Sequence, residues 1–223
     1  PVLDGAALLE ALPALHALCR AEALDLMCLD STDLTAAERL EMARAVWARR
    51  AQYDGFVIAH GTDTLAYTAA LLHHVLPDID RPVVLTGSML PLGADGSDAP
   101  GNLLAAFRTA ADGRCGVFAA LNGKVIEGRR LVKVHSAAMD AFLSANEPPA
   151  GVIKGERVIW RTPAPKRGAA RLIEDIDPQV LLVRLTPDLP PAFLSALGSY
   201  PKVILETFGA GGIPARLEDA VRA

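Results

Sequence analysis

Two kinds of segment alternate along the chain. Short β-branched runs end in Gly, Thr, Ser or Asp, and longer Ala- and Leu-rich runs carry apolar residues at helical spacing. Gly5 to Arg20 reads as a helix that Pro13 kinks or divides, because proline removes a backbone donor and clashes with the preceding turn. Leu24 to Leu29 reads as a short apolar strand running into Asp30-Ser31-Thr32-Asp33. Thr35-Ala36-Ala37-Glu38 has the form of a capping box opening a helix to Arg50. Gly55 to Ala59 is a continuous apolar run, the pattern of a parallel strand buried on both faces. After Gly61 to Thr64, a helix is predicted from Leu65 to Leu76, stopping before Pro77. Pro82 to Leu85 repeats the strand and ends in Thr86-Gly87-Ser88-Met89. A Gly-, Asp- and Pro-rich loop then leads to a helix over Gly101 to Asp112. Cys115 to Leu121 is the next strand, closed by Asn122-Gly123, a tight-turn dipeptide, and Val152 to Trp160 reads as an edge strand.

Strand, helix, strand, helix, strand is the order of an α/β fold with a mostly parallel sheet flanked by helices. Residues 1–161 are assigned to an N-terminal α/β domain. Residues 162–177, with prolines, a glycine and basic residues, read as a linker. Residues 178–223 open a second, smaller α/β domain, with strands at Val180 to Leu185 and Val203 to Leu205 and a helix between them. Two strands and a short helix cannot bury both faces of a sheet, so this second domain is expected to be only partly present.

Composition narrows the function. Of 223 residues, 51% are hydrophobic and 22% charged, enough apolar material for a large core. The net charge of -4 offers no broad basic face, which argues against nucleic acid as a ligand. No stretch reaches the ~18 apolar residues that a bilayer span requires, so no membrane partner is expected. Cys19, Cys28 and Cys115 are scattered and fit reduced thiols in a cytoplasmic protein. His16, His73, His74 and His135 lack ligand spacing, so no metal site is expected.

In open parallel sheets, ligands bind outside the carboxyl ends of the strands, where helix N-termini present free N–H groups. Asp30 to Asp33, Gly61 to Thr64 and Thr86 to Met89 all fall at such predicted ends. Taken singly, each has an ordinary structural use. A Thr or Asp after a strand caps a helix, Thr86-Gly87-Ser88 makes a turn, and Lys133 is a solvated lysine. His60 reads as a core or backbone-bonded histidine.

The combination says more. His60-Gly61-Thr62-Asp63-Thr64-Leu65-Ala66-Tyr67-Thr68-Ala69 resembles one signature of the bacterial-type L-asparaginase family. Val84-Leu85-Thr86-Gly87-Ser88-Met89-Leu90-Pro91, followed by Ser97-Asp98-Ala99 and Asn102-Leu103, resembles the next. Glu127-Gly128-Arg129-Arg130 through Lys133, then Asp140-Ala141-Phe142, resembles a third. Asp30 to Thr35 and Gly209-Ala210-Gly211-Gly212-Ile213-Pro214 are similar to two weaker ones, all in the family's order.

This resemblance implies hydrolysis of the asparagine side-chain amide to aspartate and ammonia without a cofactor. Thr62, Asp63 and Lys133 match the family's Thr-Asp-Lys constellation. The chemistry suits these residue types: a threonine hydroxyl is a weak nucleophile until a neighbour withdraws its proton. A lysine amine does so when a confined site lowers its pKa. Asp63 would orient Lys133 and bind the substrate's α-ammonium. By the same resemblance Ser31 and Thr32 bind the α-carboxylate, Gly61 lines the substrate site, and Ser88 approaches the leaving amide. Donors of that kind are worth ~3–4 kcal/mol each where negative charge develops on the carbonyl oxygen.

The sequence also departs from the family pattern. The family's first catalytic threonine lies in a Thr-Gly-Gly-Thr-Ile turn that does not occur in these residues. Pro1-Val2 resembles residues that follow that strand and its loop, so a first strand, the loop and a primary nucleophile are expected outside this sequence. Gly212 stands where the family often has Asn. The resemblance favours the cytoplasmic branch, a homodimer or homotetramer, and L-asparagine or L-glutamine as substrate. Two other functions stay open at this level. One is the ammonia-producing subunit of a tRNA-dependent amidotransferase; the other is a non-catalytic asparagine- or aspartate-binding homologue.

Overall fold

The computed structural model describes residues 4–222, so Pro1-Val2 lies outside the described residues. The chain forms two compact units, Pro1–Glu174 and Asp175–Ala223. In the first, Asp4 caps helix α1 (Gly5–Glu10) by accepting from the Ala7 N–H at 2.7 Å. Proline divides the predicted helix: a separate 3-10 turn spans Pro13–Ala17. The strand expected over Leu24 to Leu29 does not form, and Leu24 and Leu29 stay 54% and 55% exposed. An apolar run becomes a strand only where a neighbour takes its N–H and C=O groups, and no strand among the described residues pairs with it. Helix α2 (Ala36–Arg49) opens on the predicted capping box. Thr35 Oγ1 accepts from the Ala37 N–H at 3.2 Å, and the Glu38 carboxylate accepts from the Thr35 N–H at 2.7 Å.

The main sheet is built from β1 (Phe56–Ala59), β2 (Pro82–Thr86), β3 (Gly116–Leu121) and β4 (Lys124–Glu127). Helix α3 (Leu65–Val75) follows β1, and α4 (Ala99–Ala111) follows β2. A small two-stranded sheet, β5 (Leu131–Lys133) with β6 (Phe142–Ser144), comes next, with no counterpart in the sequence reading. The edge strand expected over Val152 to Trp160 is a hairpin, β7 (Gly151–Lys154) and β8 (Arg157–Trp160). Gly155 at φ +59° supplies the two-residue turn that a single strand would lack. The order is β1-β2-β3-β4-β7-β8, parallel from β1 to β3 and antiparallel beyond.

Every residue of β2 is buried, whereas β1 is half-buried, because among the described residues β1 pairs with a strand on one side only. Alternation places Val84 and Ala120 on one face against Ala105, Ala106 and Ala110 of α4. Val117, on the other face of β3, lies near Gly128 and the Ala69 carbonyl of α3, so helices cover both faces. Small alanines on α4 let that helix approach the sheet closely.

The stretch 162–174 runs along the first unit. Arg171 and Ile173 donate backbone N–H groups to Pro77 and Val75 carbonyls at 3.2 and 2.8 Å, and the Arg167 guanidinium donates to the Ile79 carbonyl. The second unit holds β9 (Val180–Arg184) and β10 (Lys202–Glu206), paired in parallel, with α5 (Pro191–Ala196) between them and α6 (Glu218–Arg222) after. Val183, Leu185, Leu194 and Leu217 form its core. No helix among the described residues is long and apolar enough to cross a membrane.

Candidate active site

The parallel strands fix where chemistry can gather. Strand β1 ends at Ala59, and residues 62–64 turn directly into α3, whose first N–H groups lack intrahelical partners. Thr64 is the N-cap residue, yet its side chain does not cap: Oγ1 donates instead to the Ser31 carbonyl at 2.6 Å. Gly61 lies flat on the same residue, and a Cβ there would come within 2.7 Å of Ser31 Oγ. The Asp30 to Asp33 segment is thereby clamped to the turn after β1, although no strand delivers it.

Lys133 arrives from the other direction. A Cβ on Gly128 would stand 2.6 Å from the Ala69 carbonyl and 3.0 Å from Val117 Cγ1, so only glycine lets this backbone rest on α3. The chain then passes into β5 with Lys133 facing the N-terminus of α3. Its Nζ donates to Thr62 Oγ1 at 3.0 Å and to Asp63 Oδ1 at 2.6 Å. The Lys133 side chain is 16% exposed and that of Asp63 63%, so the ion pair has one sheltered and one wet end. A cavity of about 740 Å³, lined by Asp63, Tyr67, Lys133 and His135 among others, opens beside this pair.

The third segment, after β2, sits against the first. Gly87 packs so closely on the His60 carbonyl that no side chain fits there. Asp98 accepts from the Met89 N–H at 2.9 Å and the Leu90 N–H at 3.0 Å. Asn102, which donates to Asp98 at 2.8 Å, also donates to the Gly87 carbonyl at 2.9 Å. Ser88 lies between these anchored neighbours and lines a second cavity of about 310 Å³ together with His60, Gly61 and Gly87.

The structure thus brings Thr62, Asp63 and Lys133 into contact, seats Gly61 on Ser31, and places Gly61 and Ser88 on one cavity wall. Ser31 is buried and Thr32 exposed. Thr32 donates both its N–H and its hydroxyl to Asp30 Oδ1, at 2.8 and 2.7 Å, and lines neither cavity. Those two bonds hold the Asp30 carboxyl below the usual carboxylate range. Among the described residues no group of three or more His, Cys, Asp or Glu is placed to hold a metal ion.

The family model described as "Asparaginase, N-terminal" matches residues 1–166. The chain belongs to the asparaginase family. A family relative, the L-asparaginase of Thermococcus kodakarensis, is 42% identical over 197 residues, covering 87% of this chain and 60% of the relative. The solved structure of that thermostable enzyme superposes with a TM-score of 0.90 at 38% identity, over 99% of this chain and 69% of that one. A probable cytoplasmic L-asparaginase from Campylobacter jejuni gives a TM-score of 0.85 at 28% identity, over 99% and 74%. More distant is a glutamyl-tRNA(Gln) amidotransferase component of Pyrococcus furiosus, 28% identical over 236 residues, covering all of this chain and 54% of the relative. The chain therefore spans about 60% of the length of its Thermococcus asparaginase relative.

Sequence reasoning about the asparaginase motifs missed what holds them. Arg39 and Thr68 form a hydrogen-bonded group with His60, and Thr64 reaches Ser31, yet none of these four was assigned a site role. Asp98 and Asn102 were visible only as parts of a motif. An Asp at the mouth of a helix reads as a cap, and nothing local tells that its carboxylate turns back to Met89 and Leu90.

Proposed function

We propose that the protein is an L-asparagine amidohydrolase that releases L-aspartate and ammonia, with Thr62, Asp63 and Lys133 carrying the chemistry. The observation that supports this most directly is the Lys133 Nζ held between Thr62 Oγ1 at 3.0 Å and Asp63 Oδ1 at 2.6 Å. Both distances lie within the reach that proton transfer needs. Asp63 orients the lysine by charge. In its amine form Lys133 takes the Thr62 hydroxyl proton along the same line, and the pair withdraws a proton from the oxygen that attacks the amide carbon. The proton taken up by Lys133 passes to the amide nitrogen, ammonia leaves as the C–N bond breaks, and water then cleaves the resulting ester to L-aspartate and restores the attacking hydroxyl.

Ser31, Thr32, Gly61 and Ser88 form the binding side of this reading. Ser88 meets the amide group, and the Ser31–Thr32 segment, clamped to Gly61 and Thr64, meets the α-carboxylate. The protein acts in the cytoplasm as a homodimer or homotetramer. Similarity to the Thermococcus L-asparaginase at 42%, against 28% to the amidotransferase component, favours free asparagine over a tRNA-bound substrate.

Ammonia release by the full-length protein tests the reading. L-asparagine is expected to be hydrolysed without tRNA or added metal, and more efficiently than L-glutamine. Turnover that requires charged tRNA would move the assignment to the amidotransferase function. Calorimetric binding of asparagine with no ammonia formed would make the protein a binding homologue.

A further inference from the structure

His60 invites one reading that its surroundings refuse. It stands two residues before Thr62, where an imidazole beside a hydroxyl is commonly a general base. Both ring nitrogens are already committed. Nδ1 lies 2.7 Å from the Gly61 carbonyl, which can only accept, so Nδ1 carries the hydrogen. Nε2 lies 2.8 Å from Thr68 Oγ1. With Nδ1 carrying the ring hydrogen, Nε2 of the neutral ring is an acceptor, so the Thr68 hydroxyl donates to it while accepting from Arg39 Nε at 3.1 Å. One neutral tautomer, with the hydrogen on Nδ1, satisfies the contacts at both ends of the ring.

The surroundings keep it neutral. Burial and the Arg39 charge hold the His60 pKa below the usual histidine range, outweighing the Gly61 carbonyl, which pulls the other way. Arg39 is the charged group facing the ring; Thr68, from α3, contributes only its hydroxyl. Thr68 is completely buried, so its hydroxyl has no water to turn to.

The Gly61 carbonyl belongs to the peptide that ends at the Thr62 nitrogen, and that unit is planar and rigid. Fixing the oxygen fixes the direction of the Thr62 N–H and the base from which its hydroxyl reaches Lys133. Neighbours leave the plane little other freedom, with Gly61 seated on Ser31 and Gly87 on the His60 carbonyl.

We propose that Arg39, Thr68 and His60 are positioning residues for the Gly61–Thr62 peptide, a one-way hydrogen-bond relay from α2 through α3 in which His60 takes no proton from substrate or from Thr62. The kinetic part of this inference rests on the hydrolytic reading of Thr62 and Lys133; the structural part does not.

The test pairs a spectrum with a rate on the full-length protein. In ¹⁵N-resolved NMR, His60 is expected as a single tautomer protonated at Nδ1. Thr68→Val should release the ring and shift the Thr62 amide resonance, whereas Thr68→Ser should leave both in place. Asparagine kcat should fall about 10- to 100-fold in Thr68→Val, as expected for misplacement of a reacting group. KM should change by about twofold or less, and Thr68→Ser should restore kcat. Arg39→Met, which leaves Thr68 intact, should give a smaller loss of the same kind and serves if Thr68→Val does not fold. A ring protonated at Nε2, or a Thr62 amide indifferent to Thr68→Val, would overturn the relay. So would equal kcat losses in the Ser and Val variants. A wild-type protein without hydrolytic activity would remove the catalytic reading while the tautomer and amide shift still decide the relay.

Discussion

The turn after β1 and the loop after β2 meet at one seam, yet they are held in different ways. The first, residues 61–64, is fixed by side chains arriving from several elements. Lys133 comes from β5, the Ser31 carbonyl from a 3-10 turn over Ser31–Asp33, and Arg39 and Thr68 from α2 and α3. The second, residues 87–90, is fixed by one helix end, through the Asp98 carboxylate and the Asn102 amide acting on backbone groups. Gly87 packed on the His60 carbonyl joins them. The difference teaches a division of labour. On the proposed hydrolytic reading, the turn that aims the Thr62 hydroxyl is constrained from many directions, while the loop that offers Ser88 to substrate has its backbone pinned by one helix end.

Breaking the simpler anchor should have the largest effect on stability. Asp98→Ala leaves the Met89 and Leu90 N–H groups without their acceptor, which costs about 1–3 kcal/mol for a group that stays dry. The melting temperature should fall, and asparagine KM should rise more than kcat drops, because Ser88 rides on this loop. An Asp98→Ala variant that loses kcat at unchanged KM would show that the two loops are not divided in this way.

Acidification probes the first turn. His60 and His73 both have pKa values lowered chiefly by burial. Below the free-histidine value of about 6.5, the unfolded chain binds protons that the folded protein refuses. Stability is therefore complete above that pH, declines as the pH falls from about 6.5 toward the lowered folded values, and loses no more from these groups below them. Chemical denaturation from pH 8 to 5 should show this decline. His60→Asn should flatten it in part, leaving the share due to His73. An identical slope in the variant would mean that His60 is not held neutral.

The smallest effect is expected at Thr64. Thr64→Val removes one hydrogen bond, to the Ser31 carbonyl, and should cost about 0.5–1.5 kcal/mol of stability. A modest rise in asparagine KM should accompany it, since the Ser31–Thr32 segment loses a tether. Equilibrium unfolding and initial rates check both.

Much of this molecule was legible in its pattern. The apolar runs at Gly55–Ala59 and Pro82–Leu85, the capping box at Thr35 and the stop at Pro77 are local signals, and each lies within two residues of an element boundary. Leu24 to Leu29 carried the same signal and gave no strand, because pairing is a property of the neighbour as much as of the run. Strands β5 and β6, three residues each, are too short for any period to show. In the site, the motif strings pointed to Thr62, Asp63 and Lys133, whose contact spans 71 and 70 positions of sequence. What makes that contact is Gly128 resting on α3, a packing fact that a single glycine does not announce. Arg39 and Thr68 were illegible for the opposite reason. A buried threonine on the inner face of a helix looks like core, and only the fold shows that His60 is its partner.

The claim that Thr62 and Lys133 act as one unit is tested most directly by a double-mutant cycle on asparagine turnover. Thr62→Ala and Lys133→Ala are each expected to lower kcat by about 10²- to 10⁴-fold, the range of a positioned proton-transfer group. Because each is useless without the other, the double variant should be no slower than the worse single one. Losses that multiply, or a Lys133→Ala protein with wild-type turnover, would contradict the account.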